Sequence, residues 1–144
     1  MSKNYYKYYI LKDKNLIVEI LNGSFDLSDF VNLKKLESED IDFDPNFNSI
    51  LDIRNIENDF SKEIRNGLEQ FSEIIKTLQH VTKRKKTAVI TNTPAQVTGI
   101  SWYKLIDDRG IDYKVFSTLK GAADWIGVGI IDLKDIDFNK TDIY

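Results

Sequence analysis

Asp40, Asp42 and Asp44 alternate along the chain, the spacing with which calcium loops present their carboxylates. A loop of that kind needs glycine at its sixth position for a sharp turn and a bidentate glutamate at its twelfth. Counted from Asp40 those positions hold Pro45 and Leu51, and counted from Asp42 they hold Phe47 and Ile53. Both registers fail, and the run reads as a solvated acidic loop. His80 is the only histidine, and the chain has no cysteine. Cysteine-based zinc sites, thiolate nucleophiles and disulfides therefore lack their atoms, and a histidine acid–base pair lacks its second member. His80 falls near the expected end of a helix, where the dipole favours a cation. No metal and no cofactor is expected.

Charge offers the next candidates. Lys83-Arg84-Lys85-Lys86 is a basic cluster that can hold a phosphate or an acidic lipid, or can simply end a helix and solvate a loop. It has no interleaved aromatics and sits in a chain of net charge −3, so nucleic acid is not an expected partner. The stretch from Glu37 to Asp59 is its opposite, acidic throughout with Arg54 its single cation. Two patches of opposite sign suit self-association or a charged protein partner. Tyr5, Tyr6, Tyr8 and Tyr9 flank an opening strand on both faces, fit for packing or for an interface. Trp102 and Tyr103 are neighbours on a helix and cannot both point inward, which leaves one to line a cleft.

Elements that would position these groups follow from pattern. Tyr5–Leu11 and Leu16–Leu21 are runs of aromatic and branched residues around a polar turn, a hairpin signal closed by Gly23. Ser28 is the expected cap of a short helix reaching about Glu37, and a loop over Asp40–Asn48 follows. Ser49–Ile53 reads as a buried strand. From Ser61, expected as an N-cap, apolar residues recur at helical steps from Ile64 through Phe71 to Val81, one long amphipathic helix. Thr87–Thr91 is a strand. Thr93 then caps a helix with Pro94 at its first position and Gln96 placed for a capping box. That helix is expected to stop before Gly110. Asp112–Phe116 and Leu119–Ile126 give the last strand and helix.

The order β-β-α-β-α-β-α-β-α predicts an α/β domain with a mixed β-sheet, antiparallel at its opening hairpin and parallel beyond it. With 144 residues and 42% hydrophobic content, one core and one domain are expected over residues 1–126. There is no signal-peptide run and no apolar stretch of spanning length, so a cytoplasmic protein is expected. The tail, residues 127–144, is rich in Ile, Val, Leu and Phe. It is expected to pack on the domain or on a neighbouring copy.

In sheets of this class, ligands bind outside the carboxyl ends of the parallel strands, where helix N-termini point. That edge would gather Arg54, Asn55 and Ser61 after one strand and Asn92 and Thr93 after the next. The set is polar and donor-rich, suited to a phosphate, a carboxylate or an acidic side chain. It contains no nucleophile with a base beside it, so no enzyme is expected. The same residues also serve as ordinary caps.

The element order, Ile50-Leu51-Asp52-Ile53-Arg54, and the ending Val115-Phe116 with Ala122-Ala123-Asp124-Trp125-Ile126 resemble STAS-type domains. Asp44-Pro45-Asn46-Phe47 and Asp52-Ile53-Arg54 are similar to phrases of a largely uncharacterised, mostly bacterial branch related to Sec14-like lipid-binding domains. The resemblance covers about Tyr6 to Ile126 and describes mainly strands and packing. It implies a non-enzymatic regulatory or protein-interaction domain or, through the second branch, a small-ligand or lipid-binding module. In the anti-sigma-factor antagonists of this family, a serine at the start of the helix after the third strand is phosphorylated to switch partner binding. Ser61 falls at that place. Its flanks depart: Phe60 precedes it and Lys62-Glu63 follow, where the family has Asp before and Ser-Gly after. Ser61 is thus a cap alone, or a cap and a phosphorylation site.

Overall fold

The computed structural model describes residues 5–78 and 81–138; His80 lies outside them. Strands β1 (Tyr5–Leu11), β2 (Leu16–Gly23), β3 (Asn48–Ile56), β4 (Lys86–Ile90) and β5 (Asp112–Phe116) form one α/β mixed sheet in that spatial order. β1 and β2 are antiparallel, joined through Asn15, whose φ of 50° closes the turn; the remaining pairs are parallel.

Because each parallel strand is laid beside the last in one direction, right-handed crossovers place their helices on one face. Helices α1 (Leu27–Glu39), α2 (Phe60–Asn66), α3 (Leu68–Thr77) and α4 (Pro94–Ile106) share that face, with Phe30, Ile64, Phe71 and Ile100 in one core. Helix α5 (Leu119–Ile126) follows the last strand and folds over the opposite face. There Leu119, Ala122 and Ala123 meet Val18, Ile20, Ile50 and Ile90. The chain continues through a 3₁₀ turn at Ile130–Leu133, and Leu133 and Phe138 are buried in the same core at 2% and 4% exposure.

Two expected caps are corrected. α1 starts two residues before Ser28's place: Asp26 accepts from Asp29 N–H and Asp29 answers to Asp26 N–H, a reciprocal box. α2 likewise starts ahead of Ser61, capped by Asp59, whose carboxylate accepts from Lys62 N–H at 3.1 Å. Ser61 is a half-buried residue of the first turn and caps nothing. In both cases aspartate satisfies the orphan amides as well as serine does, and the apolar residue following it, Leu27 or Phe60, begins the buried face.

The long helix is also corrected. It breaks at Gly67 into α2 and α3 and ends at Thr77, since glycine is the weakest helix former after proline. The break turns the chain while keeping Ile64 and Phe71 fully buried, at 1% and 0% exposure. α4 begins as expected, with Thr93 Oγ1 accepting from Gln96 N–H at 3.2 Å. The Gln96 carboxamide does not return to the cap. It accepts from Asn92 N–H at 2.7 Å, and its Nε2 donates to the Arg54 carbonyl.

Candidate functional site

The cross-sheet row Ile17, Ser49, Thr87 and Tyr113 runs along the helix-covered face. Its two middle members are short, while Phe30, Phe71 and Ile100 stand above it from α1, α3 and α4. Protein interiors are packed to crystal density with few voids. Here a cavity of about 470 Å³ remains between sheet and helices. It lies over the amino-terminal halves of the parallel strands, and its volume falls in the usual range for small-molecule sites, about 300–1,000 Å³. Leu21, Phe25, Leu33, Leu51, Phe60 and Ile64 make most of the rest of the wall apolar.

A charged cluster forms part of that wall. Glu19 projects from the middle of β2, and Lys34 and Glu37 descend from α1. The Lys34 ammonium donates to Glu19 at 2.8 Å and to Glu37 at 3.4 Å. Burial pushes both carboxyls up. Lys34 outweighs it at Glu19, which is held below the usual carboxylate range, while Glu37, beside a charged Glu19, stays well above that range. Burial likewise works against the Lys34 ammonium, but Glu19 and Glu37 hold its pKa above the ordinary lysine value. Glu37 Oε2 is buried without a hydrogen-bond partner among the described residues. An ion cluster in a core is a poor source of stability, because desolvation offsets its attraction. Its position on a cavity wall is the pattern of a functional site.

At the start of β4 stands Lys85. Burial and the Lys34 ammonium bring its pKa down to about 8. Nearby, Arg109 donates through Nε and Nη2 to Asp107 at 2.9 and 2.8 Å, and the Tyr113 hydroxyl donates to the same carboxylate. Burial would raise Asp107, but these donors hold it below its ordinary value. Burial pushes the Tyr103 hydroxyl, also on the wall, up to about 12. Of Trp102 and Tyr103, it is Tyr103 that lines the cavity.

The loop before β3 closes one side of the cavity with Phe43 and Pro45. Asn46 anchors it: its Oδ1 accepts from the backbone of Thr82 and Lys83 at 2.7 and 2.9 Å. The alternating aspartates are turn-formers there. Asp40 accepts from Asp42 N–H and the Tyr8 hydroxyl, and Asp44 from Asn46 N–H. Among the described residues, no group of three or more His, Asp or Glu stands together as a metal site.

The edge expected from sequence lies at the other end of the strands. Arg54 is folded back on Asp52 in a bidentate pair at 2.9 and 2.8 Å, with both side chains at most 2% exposed. Asn55 donates to the carbonyl of Phe138. Asn92 and Thr93 are exposed and engaged in starting α4. Among the described residues, Arg54 meets this start through its carbonyl, which accepts from Gln96. A ligand crevice at that end arises where strand order reverses, and this sheet never reverses. The basic cluster is divided too. Lys85 lines the cavity, while Lys86, one residue on and so on the other face, donates to the Trp125 carbonyl and lies over its ring.

Sequence reasoning passed over Glu19, Lys34 and Arg109; it named Glu37 as part of an acidic stretch and Lys85 as part of a basic cluster able to hold a phosphate or an acidic lipid. Of the three passed over, Glu19 carried a signal, a carboxylate inside the otherwise apolar run Leu16–Leu21. Compared with models of known families, with curated proteins and with solved structures, the chain matches none. Among the described residues, no helix is long and apolar enough to cross a membrane.

Proposed function

We propose that this domain is a non-enzymatic binding module for a small amphipathic molecule, the Sec14-like alternative of the two readings implied by its resemblance to STAS-type domains. The observation that carries it is the cavity of about 470 Å³ beneath the helices, walled by aliphatic and aromatic side chains with a charged cluster on one side. An apolar body buried there gains about 25 cal/mol for each Å² removed from water, and the few polar groups orient it.

The regulatory, protein-interaction reading has less support. Its phosphorylation-switch form needs Ser61, and Asp59 already places a carboxylate on the amides of that helix start. A phosphate added two residues on would meet that negative charge. The test is saturable uptake of a neutral fluorescent probe, N-phenylnaphthylamine, displaced by dodecanol. Binding raises the melting temperature of the wild type. Ser49→Leu, which fills the floor of the cavity, abolishes uptake while the domain stays folded. Uptake that is unchanged in that variant contradicts the reading.

A further inference from the structure

We infer that the ligand carries an anionic head, a carboxylate or a phosphate, seated against Lys85 and Arg109 where β4 and β5 begin. This rests on the ligand-binding reading and names its polar end. The charges on the wall do not cancel. Glu19 is answered by Lys34 at 2.8 Å, and Arg109 by Asp107. Glu37 turns to Lys34 as well, at 3.4 Å, and burial and its neighbour Glu19 raise its pKa well above the usual carboxylate range. Lys85 is left over: among the described residues no carboxylate lies within ion-pair distance of it.

Its position is fixed by strand pairing. The Lys85 carbonyl accepts from Asp112 N–H at 2.9 Å, which brings the start of β4 beside the chain that carries Arg109. Arg109 commits Nε and Nη2 to Asp107, so its Nη1 donors remain for a ligand. Arg109 is also a shared wall between the cavity and an open groove lined by Lys83, Arg84 and Asp112, in which Arg84 pairs with Asp112 at 3.8 Å. Lys83 in the groove, Arg109 between the two and Lys85 on the cavity wall place three cations from the surface inward. An ammonium without a counter-ion beside an apolar space is costly unless something negative arrives. A chain with an acidic head supplies that charge and fills the space.

The experiment measures binding of dodecanoate, dodecyl phosphate, dodecanol and dodecylammonium to the full chain, below their micelle-forming concentrations. Both anions are expected to bind at least about tenfold more tightly than the alcohol. In Lys85→Gln the advantage of the anions over the alcohol is expected to disappear. The variant should melt no lower than the parent without ligand, because it removes a desolvated cation. Equal binding of anions and alcohol, or tightest binding of the ammonium, overturns the anionic head but leaves the cavity reading standing. Retention of the anion preference in Lys85→Gln overturns the assignment to Lys85. Failure of all four to bind overturns the ligand reading itself.

Discussion

Lys85 and the pair Asp52–Arg54 show how differently buried charge behaves in this domain. Around Lys85 stand Glu19 from β2, Lys34 and Glu37 from α1, Tyr103 from α4, and Arg109 and Tyr113 at the start of β5. Its folded pKa of about 8 is below that of an unfolded lysine, about 10.4. Between those values the unfolded chain holds a proton that the folded chain has lost, so this residue's contribution to stability rises with pH across that window. Anion binding runs the other way, since it needs the proton. Affinity for dodecanoate is expected to fall as pH climbs through about 8, while dodecanol affinity stays level; calorimetric titration at several pH values measures both.

Asp52 and Arg54 lie outside the lining of the cavity. They satisfy one another in a buried bidentate pair, and Arg54 Nη1 has no hydrogen-bond partner among the described residues. Removing the carboxylate alone strands the guanidinium. Asp52→Ala is expected to cost about 3–5 kcal/mol in denaturant unfolding. The double replacement Asp52→Leu with Arg54→Met should recover most of that, because two apolar groups need no partner.

At the scale of elements, the close crossing of α2 and α4 depends on Gly99. A Cβ there would come within 2.3 Å of the Phe60 ring, far inside contact distance. Gly99→Ala should destabilise by about 1–3 kcal/mol despite alanine's better helix propensity. Adding Phe60→Leu should return part of the loss, which chemical denaturation of both variants measures.

Local chemistry made many of these elements readable in advance. Thr93-Pro94 marks the start of α4, and Asp112–Phe116 and Leu119–Ile126 have the bounds expected from their composition. Where two cap-forming residues lie two positions apart, as with Asp26 and Ser28 or Asp59 and Ser61, residue type does not choose between them. Packing of Leu27 and Phe60 does. The break at Gly67 was similarly hidden, because the apolar steps from Ile64 to Phe71 are the same in one helix or two. The cavity was the least legible feature. It exists because Ser49 and Thr87 align across the sheet beneath large residues, and that alignment is set by strand register far apart in sequence.

At the scale of the molecule, a sheet wound in one direction has two unequal faces. One carries four helices and a cavity, and the other is covered by α5 and the chain after it. Leu133 and Phe138 help close that second face. Truncation after Ile126 removes both, each contributing about 1.5–3 kcal/mol of apolar burial. The truncated domain is expected to melt at a lower temperature with its solution mass unchanged apart from the missing residues. A melting temperature equal to the parent's would mean that those side chains contribute nothing.

Amide NMR titration of the full chain with dodecanol tests the central claim most directly, because it reports where an apolar ligand sits. Saturable one-to-one shifts at Ile17, Ser49, Thr87 and Ile100, the floor and roof of the cavity, are the expected result. Shifts confined to the strand ends around Arg54, Asn92 and Thr93, or to exposed residues such as Ile41 and Leu105, would contradict it.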